Sequence, residues 1–231
     1  MMIAAFSDGL LAFLVFGGVM IFTLLAGAKL KRAARERSSA LSELAVALKF
    51  DEFIPGRDEG FAMGWGFLSP LARGRDRYAF NLLRGKYQEQ SLFVFDYHYE
   101  TGSDKNKVNH NLTILMLVVK EVFPQLTIGP EGLGGRIAEA FGVADDINFE
   151  SAEFSRAFSV RSADKKFAYD VCHAQMIQYL LANRDLRIEI QGPVILLAFD
   201  PLLPVGRIEF NLQRLAEIRS LLPAYLFTPT K

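Results

Sequence analysis

Three side chains near the middle of the chain have the types and spacing for metal chemistry: Asp96, His98 and His110. Asp96 and His98 are two apart, so in a strand they share a face. His110 follows a stretch of turn chemistry, Thr101–Lys107 (TGSDKNK). In the hairpin register that sets His98 opposite His110, two imidazoles and a carboxylate converge, a set able to ligate Zn²⁺ or another divalent cation. Register decides the matter, because a slip of one residue sends His110 to the other face. The more economical reading is a group of polar residues at the wet end of a hairpin. No bound metal and no cofactor are therefore expected.

Other chemistry is thinner still. Gly129–Gly135 (GPEGLGG) precedes a helix-like stretch and could bring backbone N–H groups to an anion, but it lacks the Lys and Ser/Thr of a P-loop. Glu131 would also repel phosphate, so a turn and helix start is expected there. Cys172 and His173 are adjacent on a predicted helix, about 100° apart, which is poor geometry for a nucleophile and its base. Cys172 lies beside the apolar stripe and reads as a small core residue. No G-x-S-x-G, H-E-x-x-H, dinucleotide fingerprint or kinase set is present. The chain leans away from an enzyme.

The elements that must carry these residues are read as follows. Tyr78–Leu83 and Gln90–Tyr99 are strands about a turn at Arg84–Lys86. Phe93, Phe95, Tyr97 and Tyr99 fall on one face, and Asp96, His98 and Glu100 on the other. Val108–Val119 is the returning strand and Leu126–Ile128 a short one. Leu133–Phe141 is a short helix, and Ile147–Phe149 a brief strand. Helical turns follow over Ser151–Phe158, then a strand at Ser159–Arg161. Asp164 caps a helix running to Asn183. Leu186–Ile190 and Val194–Phe199 are strands joined tightly by Gln191-Gly192-Pro193, and Ile208–Leu222 is the last helix. Strands in runs with helices between the runs predict an α+β fold with mainly antiparallel sheet.

The N-terminus tells where this unit sits. Gly9–Ala28 carries no charge and is dominated by Leu, Phe, Val and Ile; Lys29, Lys31, Arg32, Arg35 and Arg37 follow at once. A run of about 20 apolar residues is long enough to cross a bilayer as one helix. The basic flank sets that end in the cytoplasm. Ala26-Gly27-Ala28 has the form of a signal-peptidase site, but three features oppose cleavage. The run is preceded by Asp8 and no cation, it is long for a signal core, and its charges come afterwards. The expected organisation is a membrane anchor and basic flank over 1–37, an amphipathic helix and linker over 38–76, and an α+β domain over 77–231.

Composition narrows the partners. Lys plus Arg is 26 and Asp plus Glu is 26, so no basic excess points to nucleic acid. The one basic cluster is juxtamembrane, where anionic lipid accounts for it. The single cysteine excludes an internal disulfide framework, and 20 Phe residues supply a substantial aromatic core.

Several stretches resemble a family of uncharacterised, membrane-anchored bacterial proteins classed as a domain of unknown function. They are VFDYHYETG at Val94–Gly102, LTIGPEG at Leu126–Gly132 and INFESAEFSRAFSV at Ile147–Val160. SADKKFAYDV at Ser162–Val171, MIQYLL at Met176–Leu181 and IEIQGPVILLAF at Ile188–Phe199 complete the set. The resemblance implies architecture and no assigned reaction, so no catalytic residue is carried over. The resulting expectation is a single-pass protein of the bacterial inner membrane with a cytoplasm-facing interaction or scaffold domain, whose partners are the lipid bilayer and other proteins. The rival expectation is a metal-dependent enzyme built on Asp96, His98 and His110.

Overall fold

The computed structural model describes residues 2–131 and 147–227, with side chains at Met20 and from Leu24 onward, Asp104 excepted. It divides into two compact units, 1–44 and 45–231. The first unit is most of one continuous helix, α1 (Met2–Ala47), whose 46 residues run about 69 Å at 1.5 Å each. Among the described residues no helix is long and apolar enough to cross a membrane. Most of the Gly9–Ala28 run lies outside the described side chains.

The second unit is α+β with an antiparallel sheet, as its sequence pattern predicts. Its strands are β1 (Glu52–Ile54), β2 (Arg75–Tyr87), β3 (Gln90–Thr101), β4 (Val108–Pro130), β5 (Phe158–Ser162) and β6 (Ile188–Phe199). They pair in the order β1-β2-β3-β4-β5, with β6 on the far side of β4. β4 is the spine: β3 pairs with its first half, β5 with its end, and β6 runs along its other side. The strands expected separately at Val108–Val119 and Leu126–Ile128 are thus one strand. Likewise Gln191-Gly192-Pro193 is no hairpin. Gly192 takes φ +55 opposite Phe123, and the two halves of β6 continue along β4 through paired bulges. Pro124 and Pro193, which have no N–H to give a ladder, sit beside those bulges. The bend has a consequence for shape: Leu112 and Thr127, from the two ends of β4, line one cleft.

Within the stretch expected as amphipathic helix and linker over 38–76, residues 52–76 belong to this unit. β1 pairs with β2, and Asp58 bridges to Ala79 through both backbone groups. Asp58 also caps α2 (Glu59–Gly64), its Oδ1 accepting from Phe61 N–H at 2.8 Å. With α3 (Ser69–Ala72), α2 covers the aromatic face of the sheet. Ala62, Leu68 and Leu71 pack there with Phe95, Tyr97, Ile114, Met116 and Leu196, all at most 2% exposed. Burying each large apolar side chain contributes about 1.5–3 kcal/mol. Phe61 meets Phe95 edge-on at 5.2 Å, and the buried Tyr97 hydroxyl donates to Leu71 C=O at 2.8 Å.

Four more α-helices are present among the described residues: α4 (Ala152–Ala157), α5 (Lys165–Val171), α6 (Ala174–Ala182) and α7 (Ile208–Leu221). The helix expected over 164–183 breaks at Cys172-His173 into α5 and α6. α7 packs on β4 and β6, and buried Arg214 ties it to Asp185 with two hydrogen bonds of 2.9 and 2.6 Å. Ile147–Phe149 is not a strand, although Ile147 N–H donates to Val160 C=O at 2.8 Å. The helix expected at Leu133–Phe141 lies outside the described residues.

Candidate functional site

The β3–β4 register disposes of the expected histidine pair. His98 faces Asn111, and His110 faces Tyr99, so the two imidazoles point to opposite faces. The loop sets this register: Gly102 turns with φ +75, and a short 3₁₀ segment at Asp104–Asn106 leads back to Val108 opposite Thr101. His110 instead stacks on Tyr99 at 4.5 Å and bonds through Nε2 to Thr101 Oγ1 at 2.8 Å. Asp96 is 1% exposed and accepts from Asn81 Nδ2 and Thr113 Oγ1, both at 3.0 Å. It serves to join β2, β3 and β4. Asp96, His98 and His110 are not assembled as a metal-binding set.

His98 meets two other carboxylates. Asp76 takes φ +50 at a bulge in β2, a conformation Asp tolerates better than most residues, and so faces β3 out of register. Ligand atoms of Asp76, His98 and Glu100 all lie within 4.8 Å of one another. His98 Nδ1 is 3.0 Å from Asn111 Oδ1, and Nε2 is 3.9 Å from both an Asp76 and a Glu100 oxygen. Tyr78 stacks on the ring at 4.7 Å. The carboxylates already have cations, however. Arg57 donates to Asp76 at 2.6 Å and lies over Tyr78, while Lys107 pairs with Glu100. The Arg57 hydrogen bond also holds the Asp76 carboxyl below its usual range. Both carboxylates are thus paired with cations, and the group is an ion-pair cluster. Glu100 was visible as the next even position after His98; nothing in the spacing reveals Asp76, which a bulge brings in.

The remaining sequence candidates are structural among the described residues. Cys172 is buried at the α5–α6 break, and burial pushes its thiol up to about 12, far from a reactive thiolate. His173 turns away and donates from Nε2 to Leu221 C=O at 2.8 Å. Gly129 and Pro130 end β4 opposite β5, and Glu131 N–H donates to Ala157 C=O at 2.9 Å; residues 132–135 of the motif lie outside the described residues.

A cleft of about 740 Å³, its open mouth included, lies where the bent sheet passes α3. Leu112, Ile188 and Leu196 give it an apolar floor, and Arg73, Arg161, Arg187, Glu189 and Asp200 are its charged members. Arg161, Thr127 and Glu189 form one cross-strand row over β5, β4 and β6. Glu189 is 3% exposed. Ser69 donates to it from the backbone N–H at 3.1 Å and from Oγ at 2.8 Å. In the amide orientation that satisfies the network, Gln191 donates to Glu189 at 3.1 Å and to Phe67 C=O at 3.2 Å. Burial raises the Glu189 carboxyl to about 7; the Ser69 hydrogen bonds and the charge of Arg73 pull the other way. Ser69 Oγ, giving its proton to Glu189, has no histidine beside it among these contacts. The arrangement suits holding a ligand better than attacking one. Sequence reasoning missed the cleft because its charged members are scattered over residues 73–200. The single hint was Glu189, a carboxylate set between Ile188 and Ile190 in an apolar strand.

No protein-family model and no curated protein matches this chain. Among solved structures, it is similar to the crystal structure of the mycobacterial trehalose monomycolate transport factor A, TtfA. The TM-score is 0.61 at 15% identity, with 86% of this chain and 97% of that chain covered. At that identity the likeness is one of fold.

Proposed function

We propose that the chain is a single-pass protein of the bacterial cytoplasmic membrane whose α+β unit faces the cytoplasm and works by binding, as an interaction or scaffold domain for membrane-associated proteins. The observation that carries this reading is α1. Its helix is continuous through the charge-free Gly9–Ala28 run and on past the exposed basic residues Lys29–Arg35. About 20 apolar residues suffice for the span, and cations on one flank favour the cytoplasmic side. Holding the unit at the membrane raises its effective concentration toward partners there. The resemblance to membrane-anchored proteins of a domain of unknown function belongs to the same reading. The likeness in fold to the mycobacterial transport factor TtfA is in keeping with it.

Binding rather than catalysis is supported by the side chains. A cleft with convergent polar groups is present, yet its serine and carboxylate are spent on each other and the cysteine is sealed. The metal-dependent enzyme is the weaker reading, since its three residues are not brought together. Affinity capture of the tagged full chain from detergent-solubilised membranes tests the proposal. A membrane-associated protein recovered in near-equal amount is expected; recovery of the chain alone, with crosslinker present, would count against it.

A further inference from the structure

From the cleft beside α3 we infer a ligand: a single-chain anionic amphiphile, its chain on Leu112, Ile188 and Leu196 and its head at Arg73, Arg161 and Arg187. The inference rests on the binding reading of the α+β unit, but not on the side of the membrane it faces. It starts from how arginines are partnered in this molecule. Arg57, Arg84, Arg184 and Arg214 each meet a carboxylate. Among the described residues none of the three cleft arginines forms a salt bridge, and Arg161 makes only a 3.4 Å bond from Nε to Ser159 Oγ. Arg73 Nε is shut off from solvent without a hydrogen-bond partner.

Three guanidinium groups at one mouth are suited to a carboxylate or phosphate head, which they engage with paired N–H donors. Glu189 does little to cancel them. It is held under α3 by Ser69 and Gln191, and burial keeps much of it protonated near neutral pH. Asp200 is exposed at the rim and forms no salt bridge with the three among the described residues. The mouth therefore stays net positive. A free inorganic anion would leave the apolar floor unused.

The test uses the full chain in nanodiscs of zwitterionic lipid and, as probe, a palmitate analogue with a diazirine on its chain. After photolysis, label outside the N-terminal helix is expected on the peptides carrying Leu112 and Ile188–Leu196. Palmitate and hexadecyl phosphate should compete; hexadecanol and inorganic phosphate should not. Changing Arg73→Ala with Arg187→Ala should cut specific labelling about tenfold or more, the effect of losing one good ionic contact. The double Lys variant should retain a larger share. Should the alanine pair fail to fold, judged by its melting temperature, Ala198→Leu narrows the cleft with all arginines kept and should also reduce labelling. Label spread evenly along the unit, full competition by hexadecanol or by inorganic phosphate, or undiminished labelling in the folded variants would overturn the inference. None of those outcomes bears on the membrane anchor, whose test is separate.

Discussion

At the scale of single residues, Glu189 and His98 show how burial and partners decide what a titratable group does. Glu189 has its carboxyl raised from 4.5 to about 7, chiefly by burial. A folded state that binds its proton more tightly than the unfolded chain is most stabilised below about pH 4.5. That contribution is lost as pH rises toward and through 7. The whole effect is on the order of 3 kcal/mol. Melting of the detergent-solubilised full chain should therefore fall between pH 5 and 8, and Glu189→Gln should flatten that part of the profile. A wild-type profile no steeper than that of the variant would show that Glu189 is solvated or fully neutralised by Arg73. His98 leads to a different expectation. Its carboxylate neighbours Asp76 and Glu100 already hold Arg57 and Lys107, so protein purified without chelators or a His-tag should carry well under one transition metal per chain. Elemental analysis decides it; about one zinc per chain, lost on His98→Ala, would mean that the two cations yield to metal. With Tyr78 stacked on its ring and Asn111 on Nδ1, His98→Ala should cost about 1–2 kcal/mol.

At the scale of elements, the hairpin between β2 and β3 turns at Gln88-Glu89, with φ of +46 and +64. Left-handed backbone at both central positions matches the twist of paired strands, and Asn-Gly is the pair that adopts it most readily. Replacing Gln88-Glu89 with Asn-Gly should therefore stabilise the unit, by about 1 kcal/mol or more, since each L-residue there is held against its preference. A lower melting temperature in the double variant would show that the Gln and Glu side chains contribute more than their strain. This turn also shows what was legible in the sequence. The alternating aromatics of β3 revealed its core face, and the polar Asp96, His98 and Glu100 its other face, because period-two alternation survives in any register. The turn was expected at Arg84–Lys86 instead, since Gly85 is a stronger turn signal than Gln-Glu. Bulges were illegible for the same reason. Asp76, Asn81 and Gly192 shift pairing without changing the hydrophobic pattern; the shift in β2 gives His98 its neighbour Asp76, while the loop after Thr101 sets the register that parts it from His110. The cleft depends on the bend of β4 and β6, so its three arginines meet only in the folded sheet.

At the scale of the whole molecule, the proposed anchor raises the question of which side of a membrane the α+β unit would occupy. The warrant for the cytoplasm is local: Lys29, Lys31, Arg32, Arg35 and Arg37 follow the apolar run, and only Asp8 stands before it. Juxtamembrane Lys and Arg resist translocation, whereas Asp and Glu contribute little to orientation. A pair of fusions at Lys231, one to a phosphatase active only outside the cytoplasm and one to a fluorescent protein that matures only inside, reads the outcome directly. Fluorescence without phosphatase activity is expected. Phosphatase activity without fluorescence would reverse the assignment and restore cleavage after Ala28 as the better account of the run. The division of the chain gives a matching expectation. The second compact unit begins at Ala45, so removing residues 1–37 leaves that unit whole and takes away the apolar run with its basic flank. The shortened chain should be recovered from the soluble fraction, with a cooperative melt. Aggregation of the shortened chain would mean that the apolar run is part of the core of the α+β unit, and the anchor reading would fall with it.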